Sequence, residues 1–226
     1  MLLVREKMKL RQKGIQHMDE QPTHNADMSG RIVRFKELIR PENAVPVMFI
    51  DSVLPGHQRM NWAVIGDTAS ENPDFKPAIT APHKFQIGVF MCPPNSGPAW
   101  HTHDYIELFM PLGGKWRFHW GSDPDGAEDG HADLEPFDMI SLPPGVWRAF
   151  ENISDQAAFC FAVLEPHEVF AGKDPYWGTQ VIRQAAALGF AADDKGQMIK
   201  PANYAEIERQ VTAELTAWLL KQAPDG

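Results

Sequence analysis

The shortness of its apolar runs limits the fold of this chain more than any other feature. Over residues 31–164, segments rich in Val, Ile, Phe and Trp recur at 46–50, 60–65, 84–91, 115–120, 139–142, 147–150 and 157–164, separated by Pro, Gly, Asn and Asp. Runs this short fall below the usual helix of about three turns but suffice for strands. Many short strands with turn residues between them build a sandwich or a barrel. At 226 residues the chain exceeds one small barrel and falls short of two comfortable domains. The expected organisation is a mobile N-terminal arm at 1–30, a barrel at 31–168 and a C-terminal helical extension at 169–226. The arm is polar and without periodicity, with Met18 and Met28 as alternative beginnings.

The period changes near the C-terminus. Tyr204, Ile207, Val211, Leu215, Trp218 and Leu219 recur at spacings of three and four, the stripe of an amphipathic helix, with Asn203 and Glu206 in capping-box relation after Pro201. A shorter helix is expected over 179–188, stopped by Gly189. The stripe is expected to pack on its own domain, with a homodimer interface as the alternative. Residues 165–178 connect barrel to helices and are placed over the barrel mouth.

Charge and cysteine usage exclude several classes. A net charge of -9 argues against nucleic acid as a partner. Asp123, Asp125, Glu128, Asp129, Asp133 and Glu135 crowd one loop, but their spacing is not that of a calcium-binding EF-hand, and a solvated hairpin loop is the expectation. No apolar run approaches the ~20 residues that cross a bilayer, and the basic first segment lacks a following apolar stretch, so no membrane partner and a cytoplasmic location are expected. Cys92 and Cys160 lie in apolar runs and read as buried thiols rather than a disulfide framework.

The chemistry concentrates in His101, His103 and Glu107. Two imidazoles two residues apart leave an extended segment on the same face, and with a carboxylate they can hold a divalent ion. A straight strand would carry Glu107 about 20 Å from His101, so the chain must bend near Asp104 and Tyr105. His101 and His103 should end one strand or leave a loop, and Glu107 should open the next.

Gly97, the His101-x-His103 pair, Glu107, Pro111 and Gly114 resemble the first motif of the cupin superfamily, and Pro143, Gly145, Arg148 and Asn152 stand at the spacing of its second. In that second motif Arg148 replaces the usual His. Phe137 stands where the family has Gly ahead of an Asp such as Asp138, and Gly97 sits nearer the first His than usual. The resemblance covers 97–152 directly and 45–168 by extension. It implies a mainly β fold, a cupin-like antiparallel β-barrel (jelly roll or double-stranded β-helix) with a ligand-binding mouth, to which the periodicity adds C-terminal α-helices.

If the inward-facing position of the motif holds, the Arg148 guanidinium points at the ligands, where a permanent cation cannot coordinate and opposes a metal. One outcome is an Arg148–Glu107 ion pair with no metal. The other is a three-ligand site whose open positions take water, oxygen or substrate while Arg148 grips a substrate carboxylate. Trp100, Phe109, Trp116, Trp147 and Phe159 are the candidates to enclose the substrate, with Tyr105 or Glu165 as acid or base. His119 is a further candidate fourth ligand, but strand parity groups it with Lys115 and Arg117 on an exterior face, and His167 is a lesser candidate that would approach from the rim. His57, His83 and His131 have no supporting context, and His17 and His24 lie in the arm.

Two imidazoles and a carboxylate with vacant positions are the ligand set of non-haem iron oxygenases, so Fe²⁺ is the favoured cofactor, with Zn²⁺, Mn²⁺ and Ni²⁺ open. The resemblance implies dioxygenases of small organic acids, diketones or phenols among the activities to expect. A zinc or manganese isomerase, lyase or decarboxylase at the same site is one alternative. A non-catalytic cupin that binds a small molecule is the other.

Overall fold

In a β-strand successive side chains point to opposite faces, so each apolar run here is sorted into an inward and an outward row. The computed structural model describes residues 28–46, 49–66, 76–165, 175–193 and 198–222. The chain divides into two units, Met1–Gly30 and Arg31–Gly226, and among the described residues the sheets and α-helices lie in the second.

Among the described residues two large antiparallel sheets result, beside a two-stranded one at Ala191–Ala192 and Met198–Ile199. The first orders β1 (Val45–Pro46), β2 (Met60–Ile65), β3 (Gln86–Cys92), β10 (Ala158–Leu164), β5 (Glu107–Pro111) and β8 (Ile140–Leu142). The second orders β11 (Tyr176–Trp177), β4 (His101–Thr102), β9 (Trp147–Asn152), β6 (Trp116–Gly121) and β7 (Gly130–Leu134). From β3 to β10 the chain repeatedly crosses from one sheet to the other, as a jelly roll does. Among the described residues the hydrogen-bonded ladders stay within each sheet, so the barrel is two facing sheets rather than a continuous cylinder.

The inward rows meet in an aromatic core. Phe90 of β3, Phe109 of β5, Trp116 and Phe118 of β6 and Phe150 of β9 share one buried cluster. Phe150 lies 4.6 Å from Phe109 and 4.8 Å from Phe118, ring centre to ring centre. Such pairs contribute roughly 0.5–1.5 kcal/mol each beyond the area they bury. Cys92 and Cys160 are buried free thiols in the same core, and burial pushes the Cys92 pKa up to about 12.

The outward row of the first sheet is covered by the chain's own helices. Beside the short α1 (Phe35–Leu38), the described residues form the helices α2 (Thr179–Ala187) and α3 (Tyr204–Gln222). Val211, Leu215 and Leu219 of α3 cluster with Met60 and Trp62 of β2 and Val89 and Met91 of β3, so the stripe packs within the chain. Helix α2 ends before Gly189, whose φ of +87° closes the turn, and buries Val181 and Ala185 with Phe49, Ile50 and Trp177. Phe49 and Ile50 belong to a run expected to be extended; in fact they lie in a turn after β1 and plug this second core.

The motif residues have local physical reasons. A Cβ on Gly97 would collide with the backbone carbonyl of Phe150, so only glycine allows that approach of chain to β9. Phe137 sits in the left-handed region at φ +74°, a conformation that disfavours a side chain by roughly 1–2 kcal/mol, which accounts for glycine being usual there. Its ring is 71% exposed, so packing does not offset that strain.

Candidate metal centre

The bend demanded by the spacing is present. His101 opens β4, a bend occupies Asp104 and Tyr105, and Glu107 opens β5 in the opposite sheet. Crossing between sheets turns three residues that a straight strand would separate into a cluster. Their donor atoms lie within 4.8 Å of one another, and all three side chains are buried.

Hydrogen bonds to the two rings decide what the cluster can do. His101 Nδ1 lies 2.7 Å from the Ala99 carbonyl and His103 Nδ1 lies 3.0 Å from the Tyr105 carbonyl. A carbonyl only accepts, so each neutral ring carries its proton on Nδ1 and presents a lone pair at Nε2. His103 Nε2 is 2.9 Å from Glu107 Oε2, yet neither atom has a partner in hydrogen-bond geometry. A lone pair facing a carboxylate oxygen at that distance in a buried site is repulsive, so the contact calls for a cation between them, either a proton or a metal ion. Backbone carbonyls fixing the outer nitrogens of ligating imidazoles are the usual outer shell of a metal site. The donor set therefore fits a divalent ion held by His101 Nε2, His103 Nε2 and Glu107 Oε2.

The electrostatics agree. Burial, then the charge of Arg148 and then His103, hold the His101 pKa down at about 3, so its lone pair is free at neutral pH. Burial alone would raise the Glu107 pKa; contact with His103, then Arg148 and His101, reverses this and holds it at about 2.

Arg148 faces inward, paired across the ladder with His101 and fully buried. Its Nη2 donates to the Pro143 carbonyl at 2.8 Å, while Nε and Nη1 have no partner. No ion pair joins it to Glu107, whose close neighbour is His103. The Arg148–Glu107 ion pair is therefore not formed. Two unclaimed donors remain beside the cluster, and buried donors without partners cost about 1–3 kcal/mol each.

A cavity of about 80 Å³ adjoins the cluster, below the ~300–1,000 Å³ of sites for drug-sized ligands, so it suits a small molecule. His101, Tyr105 and Glu107 form one wall, Phe90, Phe109, Phe150 and Leu164 the apolar interior, and Phe49 and Trp177 further parts of the lining. Arg59 and Asn61 add polar groups. Tyr105 is buried and stacked on His103, ring centres 3.5 Å apart.

A second network sets the position of His101. Asp51, fully buried, accepts from Arg59 Nη1 at 2.9 Å and from the Ala99 backbone N–H at 3.0 Å. The Ala99 carbonyl is the partner of His101 Nδ1, so the carboxylate anchors the residue whose carbonyl sets the tautomer of the ligand. Replacing Asp51 by Asn should weaken metal binding on the order of tenfold, the lower end for loss of an outer-shell partner. Equilibrium dialysis against the metal, at a temperature where both proteins are folded, measures it.

Of the candidates to enclose a substrate, Phe109 lines the cavity and the others do not. Trp116 is buried in the inter-sheet core with Nε1 donating to Gly113. Phe159 faces outward, between Phe35 and Trp62. Trp147 neighbours Arg148 in one strand and so takes the opposite face. Trp100 binds the Asp123 carbonyl at the edge of the acidic loop. Arg148 lies behind the ligands rather than in the cavity lining, and Glu165 accepts from the Ile106 N–H and steadies the bend. His167, His17 and His24 lie outside the described residues. Phe90 and Phe150 were findable by parity, since Phe150 follows Arg148 by two; Phe49, Arg59 and Trp177 come from turns and a short edge strand without a local signal.

No family model matches the sequence, and no curated protein is similar to it. Among solved structures, the chain is similar to a protein of Acidithiobacillus ferrooxidans provisionally assigned as a sugar phosphate isomerase, 18% identical over 62% of this chain and 77% of that one, TM-score 0.46. It is also similar to a cupin 2 domain-containing protein of Halorhodospira halophila, 14% identical over 56% of this chain and 75% of that one, TM-score 0.41. A cupin superfamily protein of Desulfitobacterium hafniense is 14% identical over 48% of this chain and 78% of that one, TM-score 0.35. The two facing antiparallel sheets, with the first cupin-like motif on the β4–β5 bend and the second on β9, form a mainly β, cupin-like fold with a candidate metal site. Among the described residues no helix is long and apolar enough to cross a membrane.

Proposed function

We propose that this chain is a divalent-metal-dependent enzyme acting on a small anionic organic molecule, with Fe²⁺ as the metal and an oxygenase-type reaction on an aromatic or diketone-like acid. One observation carries the reading: two buried imidazoles with Nδ1 committed to carbonyls gather with a buried carboxylate, donor atoms within 4.8 Å, and the His103–Glu107 contact lacks hydrogen-bond geometry. Ferrous iron held by two histidines and a carboxylate supplies open positions for a bidentate substrate and redox chemistry with dioxygen. The protein's own residues do the rest. Phe90, Phe109, Phe150 and Leu164 exclude water and hold the apolar body of the substrate. Arg59 offers a cation to an anionic group at the cavity wall, while the unclaimed Nε and Nη1 of Arg148, buried outside the lining, become donors only to a group that has entered the ligand cluster.

A second reading is favoured by Tyr105, buried in the cavity wall against His103. A phenol so placed can give or take a proton, which suits a lyase or isomerase using Zn²⁺ or Mn²⁺ to polarise a carbonyl. The test is oxygen uptake by the ferrous protein with a panel of carboxylated phenols and diketones. Uptake coupled to substrate loss is expected. Turnover under strict anaerobiosis with Zn²⁺ or Mn²⁺ would replace the oxygenase by the second reading, and a protein that takes up no metal after reconstitution would leave a non-catalytic binding cupin.

A further inference from the structure

We propose a second divalent-metal site, on the exposed face of the β6–β7 hairpin, held by His119, Glu128 and His131 and suited to a borderline transition ion such as Zn²⁺. His119 and His131 are direct cross-strand partners, their ring centres 5.7 Å apart. Glu128, at the end of the loop between the strands, reaches both: its Oε2 lies 2.7 Å from His119 Nδ1 and its Oε1 lies 2.6 Å from His131 Nδ1. The three donors fall within 4.8 Å of one another. An ion needs about 2.0–2.2 Å to each, a spacing that small rotations of exposed side chains supply.

The surroundings favour an ion there. His119 Nε2, the nitrogen left over, faces Glu151 Oε1 of β9 at 3.8 Å, the place of an outer carboxylate that orients a ligating imidazole. The nearby Arg117 cation is bound through Nε and Nη2 to the two carboxylate oxygens of Asp133, at 2.6 and 2.9 Å, so its charge is offset. The backbone at the site is stiff, because β6 is paired on both sides and the Asp129 N–H donates to the Trp120 carbonyl at 2.9 Å. Imidazole with carboxylate selects transition ions over calcium or magnesium, and exposure leaves room for water to complete four-coordination.

The site also has a structural consequence. The loop that ends in Glu128 begins at Asp123 and Pro124, whose carbonyls accept from Trp100 Nε1 at 2.8 Å and from the Thr179 N–H at 3.2 Å. An ion on Glu128 therefore tethers to the hairpin the loop that holds Trp100, next to His101 in sequence, and the start of α2.

The same short contacts can instead hold protons, so the experiment counts ions. Chelator-stripped full-length protein is titrated with Zn²⁺ by calorimetry at neutral pH, beside His119→Ala/His131→Ala and His101→Ala/His103→Ala double variants. The expected result is two equivalents for the unaltered chain and one for each double variant, the surface site losing at least a hundredfold in affinity when its histidines go. If the unaltered chain and His119→Ala/His131→Ala bind the same number of ions with the same affinities, the surface site is overturned. Binding of one ion, abolished at the surface pair and untouched by changes at 101 and 103, supports the surface site while removing the buried one, so the two readings fail separately.

Discussion

Replacing His101 or His103 by Ala is expected to take the buried site from near-stoichiometric metal to none, and turnover to background with it. Each ring supplies one lone pair, and the site has three donors, so loss of one leaves an ion held by two groups in competition with water. Metal analysis of protein purified without chelator, on each variant beside the unaltered chain, reads this directly. Surface zinc would confuse the count, so the measurement is made on protein carrying His119→Ala/His131→Ala. A folding control is available in the linkage of metal to stability: an ion present at a hundred times its Kd stabilises by about 2.7 kcal/mol. The unaltered chain should therefore melt higher with metal than with chelator, and the His101 and His103 variants should melt identically in both. Retention of metal by either variant would mean that the donors are not those that geometry brings together.

The triad could be read from sequence because its spacing makes a physical demand. Residues 101, 103 and 107 share an ion only if the chain turns between 103 and 107, and the turn occurs where the chain leaves one sheet for the other. The helix over 204–222 was equally legible, since a stripe at spacings of three and four marks an amphipathic face, here packed on the outer face of β2 and β3. What parity could have decided but spacing alone did not is the cavity wall. Trp147 and Arg148 are adjacent in β9 and cannot face the same way, and Phe159 alternates with the inward Cys160. Other features carry no local pattern. Arg59 reaches the cavity through a buried pair with Asp51 in a turn, and Trp177 through a two-residue edge strand against β4. The hairpin histidines were invisible as a pair because β7 alternates without an apolar run, so the register that sets His119 against His131 appears only in the folded sheet.

Exchange of Arg148 for Met is expected to move metal affinity and catalysis in opposite directions. The guanidinium is a permanent charge, fully buried beside the ligands, and it helps to keep His101 unprotonated by the same repulsion that it exerts on a metal ion. Removing one positive charge near a dication in a partly screened site is worth a few kcal/mol at most, so metal binding should tighten on the order of tenfold or more. Catalysis should fall, because Nε and Nη1 are the unclaimed donors that would meet an anionic substrate; loss of a hydrogen bond to a charged group costs about 1.5–3 kcal/mol, roughly 10- to 150-fold in kcat/KM. Stability should not fall, since an apolar chain of similar length replaces a buried cation that has one hydrogen bond and two orphaned donors. Dialysis, steady-state kinetics and thermal melting on one variant therefore give three signs. Weaker metal binding would make Arg148 an organiser of the ligands, and unchanged kcat/KM with tighter metal would transfer the anion-binding role to Arg59, the guanidinium that reaches the cavity wall.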